Sequence, residues 1–257
     1  MILNLRGRHL TSVPDDIRGR TDLRDLRIGD NELTNVPEWL WDLTQLEFLD
    51  LSQNRLTSIS DRLGNFRLRM LDLGHNAIAH LPDSLGEVSD FLYLSNNQLT
   101  SVPESIFARL TRLKYLNVTD NQLTSLPESI GAMTSLRELR LYNNRLTTLP
   151  DSIGELYSLR ELHADNNPLT SLPVSIGNLR ALRELHLRND RIASLPESIG
   201  NLQRLGFLDL RANPIASLPN SIRDLPLLEK LDLRWCYALT PPPWLDSLES
   251  RGCAVLR

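Results

Sequence analysis

Two short strings in this 257-residue sequence carry the side chains best suited to chemistry: Glu161-Leu162-His163 and Glu184-Leu185-His186, set 23 residues apart. Imidazole and carboxylate are zinc ligands and proton carriers. Residues two apart on an extended chain point to one side of it. If the two strings run side by side as strands, two imidazoles and two carboxylates meet, a set able to approach one zinc ion or to share protons. Glu–His pairing across the strands accounts for the same residues without a metal. No nucleophile motif, glycine-rich phosphate loop or Cys-x-x-Cys pair accompanies them. The expectation is a chain that is not an enzyme and carries no cofactor.

What would set those strings side by side is a repeat. The pattern L-x-x-L-x-L-x-x-N-x-L runs through Leu136/Leu139/Leu141/Asn144/Leu146, Leu159/Leu162/Ala164/Asn167/Leu169 and Leu205/Leu208/Leu210/Asn213/Ile215. Its Asn slot is filled in turn by Arg8, Asn31, Asn54, Asn76, Asn97, Asn121, Asn144, Asn167, Asp190, Asn213 and Cys236, in steps of 21 to 24 residues. Leucine accounts for 55 of the 257 residues, against only 14 aromatics, as eleven copies of such a unit demand.

Each part of the unit has a physical task. The L-x-L pair alternates as a short strand does and sends its leucines to one side. Stacked at about 4.8 Å, such strands make a parallel sheet, very roughly 50 Å long for eleven units. The slot Asn both donates and accepts, so it can satisfy loop backbone groups that would otherwise be buried unpaired. The other half of the unit reads Leu126-Pro127-Glu128-Ser129-Ile130-Gly131. Proline suits the first position of a helical turn and glycine a left-handed stop. The expected fold is α/β: a right-handed solenoid with a parallel concave sheet and short helical or 3₁₀ segments on the convex side. Residues 1–240 would form the array. Residues 241–257, beginning Pro241-Pro242-Pro243, would close it with a short helix and a strand near Cys253–Leu256.

The sequence resembles the 23-residue "LPxSIGxL" class of leucine-rich repeats, as found in plant intracellular Ras-group proteins, in the arrays of Erbin and Scribble, and in many bacterial proteins. The resemblance implies a protein-binding scaffold with no catalytic residues to carry over. An alternative is the substrate-reading part of a larger enzyme, such as a bacterial effector ubiquitin ligase.

In such an array the side chains free of packing duty are those between the leucines, which line the concave face. Seven of the 14 aromatics fall on these positions: Phe48, Phe91, Tyr93, Tyr115, Tyr142, Phe207 and Trp235. The column before the middle leucine reads Phe48, Met70, Phe91, Tyr115, with Tyr93 beside it, and is expected to form one exposed apolar strip. Mutual packing of these rings is the alternative to a contact site. Further along, the column becomes Glu138, Glu161, Glu184 and the next reads Arg140, His163, His186. A third ends Arg188, Arg211, Arg234, beside Trp235, and is expected to form a second contact zone with Tyr142 between. A solvated face balanced by Arg137, Arg160 and Arg183 would read the same way.

Acids outnumber bases 32 to 28, a net charge of −4, which argues against a broad nucleic-acid binder. No apolar run reaches the length of a membrane span. Two cysteines, Cys236 and Cys253, fit a reducing compartment better than a disulfide scaffold. The expectation is a cytoplasmic monomer with a protein or peptide partner, or one delivered into a host cell if it is a bacterial effector. Asp190 in an Asn slot can accept but not donate, so a loosened loop or a raised pKa is expected there. Arg6 and Arg8 stand where the first strand offers an open edge.

Overall fold

The computed structural model describes residues 1–85 and 87–257. Among the described residues, twelve strands form one parallel sheet in chain order. They are β1 (Ile2–Asn4), β2 (Asp25–Arg27), β3 (Phe48–Asp50), β4 (Arg67–Asp72), β5 (Glu87–Tyr93), β6 (Tyr115–Asn117), β7 (Glu138–Arg140), β8 (Glu161–His163), β9 (Glu184–His186), β10 (Phe207–Asp209), β11 (Lys230–Asp232) and β12 (Ala254–Leu256). The register follows the repeat, so Glu138, Glu161, Glu184 and Phe207 stand opposite one another on successive strands. Among the described residues, eight 3₁₀ turns and the short helix α1 (Glu104–Arg109) run along the other side, and α2 (Leu245–Ser250) precedes the last strand.

The core lies between sheet and turns and is almost wholly aliphatic. Leu139, Leu162, Leu185 and Leu208 from the strands, and Ile130, Ile153, Ile176 and Ile199 from the 3₁₀ turns, are fully buried. Between them run the asparagines. Asn144 Nδ2 donates to the carbonyls of Val118, Leu141 and Tyr142, and its Oδ1 accepts the Leu123 N–H at 3.0 Å. One amide thus ties a loop to the preceding repeat and satisfies backbone groups that no strand reaches. Asn31, Asn54, Asn76, Asn97, Asn121, Asn167 and Asn213 likewise reach back to a carbonyl of the repeat before. Cys236 keeps part of this pattern, its thiol donating to the Leu210 carbonyl at 3.1 Å. Both cysteines are buried and free.

One expectation needs correction. The glycines of the Ser-Ile-Gly motif are not left-handed stops, since only Gly7, Gly19 and Gly252 among the described glycines have positive φ. They mark close approach instead: a Cβ on Gly154 would lie 2.4 Å from the Ser175 carbonyl oxygen of the next turn. The left-handed residue is the one before the Asn slot, from Asp30 through Asn143 to Trp235, with φ between 52° and 65°. Asn and Asp tolerate that region better than other side chains, and they hold six of those ten positions. Arg6, beside the open edge of the first strand, forms an ion pair with Asp50, two strands away, so its charge is engaged across the sheet.

The irregular repeats change element type. The 21-residue step is absorbed by longer strands, β4 and β5, whose register shifts between Leu68 and Met70. The added residues of the next repeat form helix α1 in place of a 3₁₀ turn.

Candidate functional site: the concave sheet face

Every strand offers its face two columns of side chains that the core does not use. The first, just before each strand's middle leucine, runs Asp25, Phe48, Met70, Phe91, Tyr115, Glu138 in direct register. The second begins one leucine later and runs Arg27, Asp50, Asp72, Tyr93, Asn117, Arg140, His163, His186. The 4.8 Å spacing of a parallel sheet places neighbours of a column in contact.

The aromatic column comes together as a cluster. Phe91 and Tyr93 stack with centroids 6.3 Å apart, Phe91 and Tyr115 are 6.0 Å apart, and Tyr93 and Tyr115 are 5.1 Å apart. Guanidinium groups lie against two rings, Arg69 over Phe48 at 5.4 Å and Arg140 over Tyr115 at 5.7 Å. The strip is less open than the sequence suggests. Phe48, Met70, Tyr93 and Tyr115 are half-buried, and Phe91 stands out at 43% exposure. Burial pushes the Tyr115 hydroxyl up to about 12 and raises Tyr93 as well, so both are neutral donors at physiological pH. Tyr142, two residues beyond β7, is also half-buried.

At the other end the charges pair among themselves. Asp209 and Asp232 are fully buried. Arg211 Nη2 lies 2.5 Å from Asp209, Arg211 Nε 3.5 Å from Asp232, and Arg234 Nη2 2.7 Å from Asp232. Arg211 and Arg234 are therefore counter-ions of the sheet, with Arg234 also lying over the Trp235 ring at 5.6 Å. Arg188 differs, being exposed and, among the described residues, without a carboxylate in ion-pair range. Trp235 is 49% and Tyr237 90% exposed, and both line a surface hollow with Arg234, Cys236, Leu239 and Leu245.

Between the two ends lies the imidazole pair. His163 and His186 stack with centroids 4.3 Å apart and planes 15° apart. Glu161 faces His163 Nε2 at 3.3 Å and Glu184 faces His186 Nε2 at 3.0 Å, so each pairs along its own strand. Burial, then the neighbouring His186, push His163 below the ordinary imidazole value, against the pull of Glu161.

Three features escaped sequence reasoning. Asp90 lies just ahead of Phe91 and is buried between Lys114 at 2.6 Å and Arg69 at 2.9 Å; the Lys114 hydrogen bond leads in holding its carboxyl low. Asp165 joins the histidines from the position after Ala164. Asn143, Asn166 and Asn189 form a ladder along the rim, Asn143 donating to Asp120, Asn166 to Asn143 and Asn189 to Asn166. The run of Asn and Asp at one register carried that signal.

Among the described residues, no helix is long and apolar enough to cross a membrane. A search of curated proteins finds no matching relative. Solved structures share the fold. An internalin (inlF) from Listeria monocytogenes is 22% identical, with a TM-score of 0.70, covering 99% of this chain and 85% of that one. A chain of the Drosophila Toll–Spatzle complex, in its glycosylated form, is 25% identical, with a TM-score of 0.72 over 90% of this chain and 36% of its own length. The plant peptide hormone receptor RGFR1, solved in complex with RGF2, is 24% identical, with a TM-score of 0.66 over 95% of this chain and 48% of its own. The present chain thus spans half or less of the length of those two solved chains. A sequence profile described as "Leucine-rich repeat region" matches residues 105–189 and 173–250, and others described as leucine rich repeats match 1–56 and 90–110. With more than half of the sequence matched by one profile and a twelve-stranded parallel sheet in repeat register, the chain belongs to the leucine-rich repeat proteins.

Proposed function

We propose that the chain is a non-enzymatic recognition module that takes a protein or peptide partner on its concave face. Phe48, Met70, Phe91, Tyr93 and Tyr115 are its anchors. The observation that carries this reading is the Phe91–Tyr93–Tyr115 cluster, which stands on the side of the sheet away from the core with Phe91 open to solvent. The solenoid core closes on leucines and needs none of these rings, and clustered aromatics are the usual anchors of interface energy. Arg69, Lys114 and Arg140 border the cluster and give it a polar rim of the kind that orients a partner. Arg188 and Trp235 offer a second contact zone further along, with Arg211 and Arg234 beside them. Similarity to structures solved with Spatzle and with RGF2 supports a partner of this general kind.

The test is affinity capture with native chain and with a Phe91→Ala/Tyr115→Ala variant, read by quantitative mass spectrometry. Truncating two anchors is expected to weaken capture of a specific partner at least about tenfold, each anchor contributing upwards of about 1 kcal/mol. Equal capture by the two proteins, with circular dichroism showing both folded, overturns the site.

A further inference from the structure

The geometry points to a divalent transition-metal site of the zinc type on the concave face, with His163, His186 and Asp165 as ligands. One candidate ligand atom from each of the three lies within 4.8 Å of the others. Ligands held at about 2.1 Å around a tetrahedral ion stand about 3.4 Å apart. Side-chain rotation alone closes that gap, because none of the three belongs to the packed core. The histidine side chains keep 17% exposure, and Asp165 is half-buried.

The surroundings hold these groups as ligand-supporting groups do. Glu161 and Glu184 each face the Nε2 of one imidazole. A carboxylate on one ring nitrogen orients a metal-bound histidine and raises the basicity of the other nitrogen. That leaves both Nδ1 atoms available. The two rings stand stacked on adjacent strands, so each turns about its Cβ–Cγ bond to bring its in-plane Nδ1 lone pair onto a shared ion. Asp165 Oδ1 accepts the Arg188 backbone N–H at 3.1 Å, which steadies the carboxylate and leaves its second oxygen free of that bond. Phe207 packs T-shaped against His186, centroids 5.0 Å apart and planes 89° apart, an apolar wall on the next strand. Two imidazoles and one carboxylate suit zinc, nickel or copper rather than magnesium or calcium, which prefer all-oxygen sets. The fourth position opens into the concavity, where water or a partner's side chain completes it.

This assignment revises the set suggested by the sequence. Glu161 and Glu184 become orienting groups, and Asp165 becomes the third ligand. A second trio, Glu138, Glu161 and His163, also gathers, but Arg140 occupies the Glu138 carboxylate at 2.5 Å. The site lies on β8, β9 and the turn just after β8, apart from the aromatic cluster on β5 and β6, and stands independently of the partner reading.

The test uses tag-free protein stripped by a chelator, titrated with Zn²⁺ by calorimetry and with Co²⁺ by visible absorption. About one zinc per chain is expected, with the cobalt bands of a four-coordinate nitrogen and oxygen site. His163→Ala and His186→Ala each abolish stoichiometric binding, and Asp165→Asn weakens it. Glu184→Gln lowers the affinity about 10- to 100-fold. Glu138→Gln leaves it unchanged. Circular dichroism confirms that each variant is folded. The assignment is overturned if the native chain binds no stoichiometric zinc, or if binding survives His163→Ala combined with His186→Ala. It is equally overturned if Glu138→Gln removes binding that His186→Ala retains.

Discussion

Asp190 accepts the backbone N–H of Asn167 at 2.7 Å through Oδ1, from the slot where neighbouring repeats carry an amide, while its Oδ2 is buried without a partner. Asn167 and Asn213 on either side donate from the equivalent atom to backbone carbonyls. Burial pushes the Asp190 carboxyl up to about 8, outweighing the Asn167 N–H, so the protonated acid is the form the fold prefers.

That arrangement sets a pH dependence. The folded-state value lies above the unfolded one, so the native chain holds a proton that the unfolded chain has lost. Stability on this account is fully present below about pH 4 and falls as pH rises towards about 8. Asp190→Asn supplies the missing donor at every pH and is expected to stabilise the chain by about 1–3 kcal/mol at pH 8. Its advantage should shrink on acidification, as thermal melts of both proteins across that range would show. A variant less stable than the native chain at pH 8 contradicts the assignment.

Gly154 tests close approach between turns. With the Ser175 carbonyl oxygen 2.4 Å and the Ser175 Cβ 2.7 Å from where a Cβ would sit, Gly154→Ala must push two convex turns apart. Overpacking of this kind costs about 1–3 kcal/mol. Gly206→Ala is the control, since its new Cβ would meet nothing nearer than 3.7 Å. Denaturant midpoints are expected to fall for the first substitution and to stay put for the second.

The arginine column divides by role. Arg211→Ala strips a counter-ion from Asp209 and Asp232, both fully buried, and is expected to destabilise the chain by about 3 kcal/mol at neutral pH. Arg188→Ala removes an exposed guanidinium with no such duty and should leave unfolding unchanged, within about 0.5 kcal/mol. Urea titrations of the two variants separate the structural charge from the available one.

The fold was legible because packing constraints repeat: the leucines, the Asn slot and the Pro–Ile spacing recur wherever a strand and a turn must meet the same core. The register that aligns Phe91 with Tyr115 and His163 with His186 followed from the same period. Two things were hidden. The glycine of the Ser-Ile-Gly motif looked like a helix stop because, within one repeat, that is the common reason for glycine. Its actual constraint comes from Ser175 of the next repeat, which a single unit does not display. The buried partners of Arg211 and Arg234 were hidden too. Asp209 and Asp232 occupy a column that looks solvent-facing, and only the lateral packing of long side chains seals them. Asp165 escaped for a related reason: it belongs to the position after Ala164, beyond the strand pair that defined the histidine cluster.

The central claim is that the concave aromatic cluster receives the partner. A photo-crosslinking residue placed at position 91 tests it most directly, with one at position 157 as control, because Tyr157 is exposed at 59% beside the 3₁₀ turn Asp151–Glu155 on the convex side. The account predicts that a discrete partner crosslinks from position 91 and that nothing specific crosslinks from position 157. Crosslinking from 157 with none from 91 would contradict it.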